Sequence, residues 1–372
     1  MIGGGVGSFA GRAHRQSVSL DGMAELVSGM FSRNREKSLA FARDIGIKPE
    51  RCYSNYYEMA EQEAAREDGI DFAVIVTPNV SHFEICKAFL EKGIHIVCEK
   101  PLCISSKQAL ELLKIAKKND CLFMVTYTYM GYVTIKSIKD YIKSGKLGKI
   151  KIVMAEYPQG WMSKSDKKNS QRTLWRLDPM QSGRVNCLGD LGTHVENIIS
   201  ETTGLKIKRV LAKLENLSSN GVLDDNDYIL IEYEGGASGF YWTSQLASGS
   251  RNGLRIRIYG EKGAIHWFQE DCNAFELVNT DGVITRICRG SNEISDTAAL
   301  YNRLPAGHPE GWIEAIGNLY KNYIACVIAK KEGKFAECMI DFPTGKSGAE
   351  GVRFIEKCLE SNSEGNIWID YM

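Results

Sequence analysis

Short apolar runs alternate with helix-patterned segments through residues 1–125, and no other feature of the chain restricts its fold so strongly. DFAVIV (71–76) is almost wholly apolar, the pattern of a strand covered on both faces. A helix is expected at 81–91, where Phe83, Cys86, Phe89 and Leu90 recur at helical spacing, then a strand at 94–98, a helix at 105–118 and a strand at 121–125. Upstream, 11–19 is expected as a helix and AELVSGMF (24–31) as a strand, and 34–45 as a helix with Leu39, Phe41, Ala42 and Ile45 toward the core. Strand–helix alternation of this length requires right-handed crossovers, so the expected product is a parallel, doubly wound α/β sheet.

Where that series begins, MIGGGVGSFAGRAH (1–14) places five glycines in its first eleven positions. Glycine allows the backbone to approach a ligand closely, and a following helix N-terminus favours anions, so this is the expected pyrophosphate turn of a dinucleotide site. Gly5, Gly7 and Ala10 fit G-x-G-x-x-A, whereas Gly3, Gly5 and Gly11 fit a longer turn. Only Met1 and Ile2 precede the glycines, so the first strand is expected to be truncated. At the end of the second strand, Met30-Phe31-Ser32-Arg33-Asn34 lacks the acidic residue that would bind the ribose 2′-hydroxyl of NAD. Ser32 and Arg33 could accept a 2′-phosphate, which tilts the expectation slightly toward NADP over NAD, while Arg33 could equally stack on adenine.

From residue 126 the texture changes. A helix is expected at 132–144 and a strand at 150–157, followed by a polar loop, SKSDKKNSQRT (163–173), and WRLDP. YILIEY, SGFYWTSQ, LRIRIY and AIHWF then follow one another around glycine turns, the mark of an antiparallel sheet with one face covered. A closing helix is expected at 345–360, and a strand or tail in NIWIDYM. The expected architecture is an N-terminal Rossmann dinucleotide-binding domain at 1–125 and a C-terminal α+β substrate-binding and oligomerisation domain at 126–372 with a largely antiparallel open sheet. Tyr241, Trp242, Ile256, Ile258 and Trp267 occupy positions that one helix layer is not expected to cover, which predicts a homodimer or homotetramer joined through the sheets.

Lys+Arg and Asp+Glu balance at 46 each, so no net basic field recruits nucleic acid or an anionic membrane surface, and a small molecule is the expected partner. Eleven cysteines contain no CxxC pair, and Cys98, Cys103, Cys121 and Cys187 lie in or beside apolar stretches, as expected of reduced thiols in a cytoplasmic protein. No apolar run reaches the roughly 18 residues of a membrane span, and the first residues lack a signal-peptide layout.

Three stretches carry chemistry. Lys100 of CEKPL follows a parallel strand at its C-terminal end, the edge where ligands bind in doubly wound sheets, and Pro101 favours an extended backbone at Lys100. In GDLGTHVEN (189–197), Asp190 and His194 are four apart, so on a helix they share a face with Cβ atoms about 5–6 Å apart. Asp190 would sit near the helix N-terminus, and a carboxylate beside an imidazole can fix its tautomer and raise its basicity. No further His, Cys, Asp and Glu cluster has ligand-like spacing, so no metal is expected. TPNVSH (77–82) forms the loop after the buried strand, with Asn79 placed to cap the next helix.

Together these stretches resemble the Gfo/Idh/MocA oxidoreductases: the glycine turn, VTPNVSH, EKP at 99–101, WRLDP at 175–179, GDLGTH and AGHPEGW at 306–312 extend the likeness over nearly the whole chain. The resemblance implies a nicotinamide cofactor along the sheet edge, a second domain covering it, and hydride exchange between nicotinamide C4 and a secondary alcohol or ketone carbon of a sugar, polyol or sugar derivative. It implies catalytic roles for Lys100, Asp190 and His194. It implies cofactor contacts at Gly3, Gly5, Gly7, Ser8, Phe9, Ser32, Arg33, Thr77, Pro78, Asn79, His82, Glu99 and Lys100. Substrate contacts are implied at Tyr129, Tyr157, Trp161, Trp175, Arg176 and His308, with Tyr132 a further aromatic candidate. A redox-assisted glycosidase with retained NAD, or a non-catalytic sugar or cofactor sensor, would share the fold, although intact Lys100, Asp190 and His194 argue against the sensor. SGRVNCLGD has fewer glycines before Asp190 than many relatives, and TYTYMGY (126–132) lacks His or Asn, so substrate identity does not carry over.

Overall fold

The structure, a computed structural model, describes residues 1–163, 175–218 and 222–371; beyond Ser163, the polar loop expected at 163–173 lies outside the described residues. The glycine turn is entered from a strand of two residues, β1 (Ile2–Gly3), which pairs in parallel with β2 (Phe72–Val76), Ile2 opposite Ile75. β3 (His95–Cys98) and β4 (Phe123–Val125) complete a parallel sheet in the order β1-β2-β3-β4. On the other side of β1 the strand expected at 24–31 shrinks to single parallel bridges, Ile2 with Met30 and Gly29 with Cys52. Only Gly29 and Met30, at the end of that run, make bridges, and 24–28 remain outside the sheet.

α1 (Phe9–Val18), α2 (Arg35–Asp44), α3 (Tyr56–Ala65), α4 (His82–Leu90) and α5 (Ser106–Lys118) connect these strands. Ser8, Asn34, Asn55 and Ser105 cap α1, α2, α3 and α5, their side chains accepting from the backbone N–H groups of Gly11, Lys37, Tyr57 and Gln108. On α2 only Ala42 of the four expected core residues is fully buried; Leu39, Phe41 and Ile45 pack partly buried against the core. Periodicity does not reveal α3, because its inner face carries Glu63, which accepts from Arg51 Nε at 3.1 Å and the Tyr53 hydroxyl at 3.0 Å. An ion pair stands where an amphipathic helix would show its apolar stripe. Asn79 does not cap α4: its side chain donates instead to the Ser182 carbonyl at 3.0 Å.

After α6 (Val133–Lys143) and β5 (Ile150–Pro158), α7 (Thr193–Thr203) leads into β6 (Ile207–Glu215), β7 (Asn226–Tyr233), β8 (Ser238–Ser244), β9 (Arg255–Gly260), β10 (Gly263–Phe268), β11 (Ala274–Val278) and β12 (Ile284–Cys288). α8 (Trp312–Lys331), α9 (Gly345–Ser363) and β13 (Ile369–Asp370) close the chain. The second sheet runs β12-β11-β10-β9-β5-β8-β7-β6-β13, antiparallel throughout except for the parallel pair β5–β8. α8 packs on α1, and α9 touches both α5 and β6, so the last two long helices join the two sheets.

The premise drawn from the hairpin aromatics needs correction. Tyr241, Ile256, Ile258 and Trp267 all point inward and are at most 1% exposed; only Trp242 is turned partly outward. The exposed apolar side chains of this sheet include Ile152, Tyr228 and Leu230 on β5 and β7. All eleven cysteines are free and seven are buried. Among the described residues no helix is long and apolar enough to cross a membrane.

On α7, Glu196 is buried and its Oε2 has no hydrogen-bond partner among the described residues. Burial, reinforced by the carboxylates of Glu350 and Glu201, pushes its pKa up to about 8. Between the ordinary value of 4.5 and about 8, the unfolded chain releases a proton that the folded protein keeps, so stability falls as pH rises through that window. Glu196→Gln is expected to be the more stable protein there, its melting temperature pulling ahead of wild type from the acid to the alkaline end. The free-energy gap should grow by up to roughly 1.4 kcal/mol per pH unit. A constant difference across the window would contradict the burial of a protonated carboxyl at this position.

Candidate functional site

A cavity of about 1120 Å³ lies at the C-terminal edge of the parallel sheet, larger than the usual small-molecule pocket of about 300–1,000 Å³. One end is the glycine turn, with Gly5, Val6, Gly7, Ser8, Phe9 and Ala10 on the wall. A Cβ on Gly5 would lie 2.4 Å from the Phe31 carbonyl oxygen, and one on Gly11 would lie 2.2 Å from the Gly4 Cα. Gly11 therefore lets α1 pack directly against Gly4 of the turn. α1 starts immediately after it with no acidic side chain in its first turn. Backbone N–H groups at a helix start, bordering a large cavity and free of competing carboxylates, fit a dinucleotide pyrophosphate. Arg12 and Arg15 also line this end, and Arg15 donates to the Gly4 carbonyl at 2.5 Å.

Thr77, Pro78, Asn79, Glu99 and Lys100 reach the same wall from the ends of β2 and β3. Gly3 does not; it pairs with β2 behind the turn. Ser32 and Arg33 are also absent from the wall, and Arg33 is exposed. His82 is fully buried behind it, its ring nitrogens 2.9 and 2.8 Å from the carbonyl oxygens of Pro101 and Thr77, so it fastens the two loops to each other. Glu99 is fixed by His14 Nε2 at 2.8 Å, and His14 Nδ1 lies 2.6 Å from the Tyr320 hydroxyl. This chain ties the EKP turn to α1 and α8.

Lys100 Nζ donates to the Asp190 carbonyl at 2.5 Å and to Asp190 Oδ1 at 3.0 Å, across 90 residues of sequence. Asp190 Oδ2 lies 3.5 Å from Arg176 Nε and accepts from Gln245 Nε2 at 3.3 Å. Burial opposes ionisation of Asp190, yet the Lys100 ammonium and Arg176 guanidinium hold it well below the usual carboxylate range. The Asp190 carboxylate, expected beside the His194 ring, bonds instead to Lys100 and Gln245. Leu188–Gly192 is a π-helical turn ahead of α7, so the two side chains do not stand in α-helical register, and the carboxylate turns to Lys100. His194 Nδ1 is buried without a partner among the described residues, and the ring is enclosed by Tyr127, Tyr129 and Tyr157 at centroid distances of 5.8, 4.7 and 6.2 Å. Burial first, then the Lys100 charge, pushes the His194 pKa well below 6.5, with Asp190 opposing, so the ring is neutral at pH 7.

The far wall is built from neutral polar groups. The Tyr129 and Tyr157 hydroxyls bond to each other, Tyr157 donates to Asn252 Oδ1 at 2.6 Å, and Gln159 Nε2 donates to the same oxygen at 2.8 Å. Asn252 Nδ2 donates to Gln269 Oε1 at 2.8 Å, and Gln269 donates to the Tyr132 hydroxyl at 3.2 Å. Burial pushes the Tyr129 pKa up to about 12, so this network is uncharged. Trp161, Trp175 and Arg176 stand on the wall as expected, whereas His308 is exposed and away from it. Sequence reasoning missed Gln159, Gln245, Asn252 and Gln269. Lone amides carry no spacing signal, and their convergence depends on the ends of β5, β8 and β10 and on the β8–β9 connection.

Residues 1–127 match the profile of the oxidoreductase family with an NAD-binding Rossmann fold, and residues 135–266 match the GFO/IDH/MocA C-terminal domain. The uncharacterized oxidoreductase YfiI of Bacillus subtilis is 35% identical over 380 residues, covering 100% of this chain and 96% of that protein. An inositol dehydrogenase homolog from Azotobacter vinelandii, solved with NADH and myo-inositol, superposes with a TM-score of 0.93 at 35% identity, covering 100% of this chain and 96% of the other. The levoglucosan dehydrogenase of Pseudarthrobacter phenanthrenivorans is 26% identical over 71% of this chain and 72% of its own length.

Proposed function

The chain belongs to the Gfo/Idh/MocA oxidoreductases, and from that premise we propose that it oxidises a secondary alcohol of a neutral polyol or sugar with NAD or NADP, or runs the reverse reduction. The observation that carries this reading is the meeting of Lys100, Asp190 and His194 on the cavity that begins at the glycine turn. A bound dinucleotide would rest its pyrophosphate on the turn from Gly5 to Ala10, and its nicotinamide supplies the hydride acceptor.

Lys100 donates a hydrogen bond to the reacting oxygen and stabilises its negative charge as the proton leaves. His194, neutral at pH 7, receives that proton. Asp190 holds Lys100 in place through the contact at 3.0 Å. The Tyr129–Tyr157–Asn252 network offers uncharged donors and acceptors to the remaining hydroxyls, and Trp161 and Trp175 offer apolar faces to ring C–H groups. Relatives that bind myo-inositol or act on levoglucosan support a neutral, polyhydroxylated substrate. Ser32 and Arg33 stand off the cavity wall and no acidic residue lies between Met30 and Asn34, so the proposal covers both NAD and NADP.

A panel of inositols, anhydrosugars and aldoses, each with NAD and with NADP and followed at the absorbance of reduced nicotinamide, tests the proposal. Stoichiometric reduction with at least one neutral polyol or sugar is expected. Release of an aglycone from glycosides with no net change in nicotinamide would instead establish the redox-assisted glycosidase. The same reading includes a homo-oligomer joined through the outer sheet face that exposes Ile152, Tyr228 and Leu230. Light scattering at micromolar concentration should give a dimer or tetramer mass, and a monomer mass rejects it.

A further inference from the structure

Asp190 sits in the middle of a π-helical turn, Leu188–Gly192, in which the Thr193 N–H reaches back to the Leu188 carbonyl. Such turns are rare, and something must hold the start of this one, whose N–H groups have no helical acceptors. Asp224, from the segment before β7, does so: its Oδ1 accepts from Asn186 N–H at 2.7 Å and its Oδ2 from Leu188 N–H at 2.6 Å. Its own carbonyl accepts from Cys187 N–H at 3.2 Å and from Asn186 Nδ2 at 3.1 Å. Asn186 Nδ2 also donates to Gln245 Oε1 at 2.6 Å, and Gln245 Nε2 donates to Asp190 Oδ2 at 3.3 Å. Asn186, Asp224 and Gln245 are all buried, at 3%, 7% and 0% exposure, so no water competes for these bonds. The circuit runs unbroken from the Asp224 carboxylate to the Asp190 carboxylate.

We infer that Asp224 and Gln245 are positioning residues for Asp190: Asp224 fixes the turn that presents it, and Gln245 fixes the rotation of its carboxylate. This rests on the role proposed above for Asp190. A carboxylate is required at 224 because two N–H groups point at it and an amide side chain offers only one accepting atom. Asp227 lies alongside, its Oδ2 accepting from the Thr243 hydroxyl at 2.8 Å and its Oδ1 without a partner among the described residues. Burial, then the Asp224 charge, pushes the Asp227 pKa well above the ordinary carboxyl value; burial raises Asp224 too, but the N–H groups of Leu188 and Asn186 oppose that shift. Cys187, Asp224 and Asp227 gather their ligand atoms within 4.8 Å, but both Asp224 oxygens already face backbone donors, and the cluster serves the turn.

Asp224→Asn keeps the side-chain shape and leaves one acceptor for two donors. In hydrogen–deuterium exchange of the whole protein, uptake at 186–192 should rise while 196–203 stays protected. With the polyol found in the panel, kcat should fall about 10- to 100-fold with KM and dinucleotide affinity unchanged. The fall should vanish in an Asp190→Asn background, because the two changes then disable the same group. Should Asp224→Asn not fold, Gln245→Met probes the circuit from its other end by the same measurements. Unchanged uptake at 186–192, or a kcat loss that multiplies with that of Asp190→Asn, overturns the inference. If the wild type turns over no polyol, the proposed function fails, and exchange alone decides whether Asp224 holds the turn.

Discussion

Lys100→Met is expected to lower kcat by at least about 10²-fold while dinucleotide affinity stays nearly intact, because the interaction removed is strongest when the substrate oxygen carries negative charge. In the resting protein the same ammonium balances Asp190, at 2.5 Å from its carbonyl and 3.0 Å from its Oδ1, with the two side chains only 11% and 22% exposed. Its loss leaves a partly buried carboxylate supported by Arg176 at 3.5 Å and Gln245 at 3.3 Å, so stability should also fall, by up to about 3 kcal/mol. The sign follows from linkage. The folded-state pKa of Asp190 is depressed, so its stabilising contribution is present above the ordinary carboxyl value of 3.8 and lost as pH falls through the folded value. The stability gap between Lys100→Met and wild type should therefore narrow toward acid pH. Activity per folded molecule, measured below the melting transition of both proteins, separates the catalytic loss from the structural one. Near-normal kcat in Lys100→Met would assign charge stabilisation to another group.

His194→Ala should cost at least about 10²-fold in kcat, since the hydroxyl proton then has no positioned acceptor. Its pH behaviour is the more specific prediction. Burial and Lys100 hold the wild-type imidazole well below 6.5, so kcat/KM should stay flat through neutral pH and fall only in the acid range. His194→Ala should lose that acidic limb. Lys100→Met should move it upward, because removal of the ammonium leaves the Asp190 charge, which favours the imidazolium, unopposed. Imidazole added to His194→Ala should restore part of the rate through the space left among Tyr127, Tyr129 and Tyr157. An acidic limb that survives unchanged in His194→Ala shows that the proton leaves by another route.

The parallel sheet was legible because its strands are buried on both faces: DFAVIV and IHIVC are almost wholly apolar, and β2 and β3 occupy them. α3 was hidden by an ion pair on its inner face, and the second strand was overread because composition favours pairing at 24–28, although only Gly29 and Met30 make bridges. In the site, Lys100 was legible from its place at a strand end, and Asp190 and His194 from their spacing. The direction of the Asp190 side chain was not, since i, i+4 reasoning assumes an α-helix and Leu188–Gly192 is a π turn. Nor could spacing reveal Asp224, Gln245 or Asn252, whose contacts bridge dozens of residues and depend on tertiary approach alone.

Central to the account is hydride transfer from a substrate carbon to nicotinamide in the cavity that Lys100 and His194 line. Its most direct test is isotopic: the polyol that scores in the panel, carrying deuterium on its carbinol carbons, is turned over with unlabelled dinucleotide and the reduced cofactor is weighed by mass spectrometry. The account predicts one deuterium in the nicotinamide ring for every substrate molecule oxidised, and none in the ring when unlabelled polyol is turned over in deuterated water. Protium in the ring from deuterated substrate would contradict it.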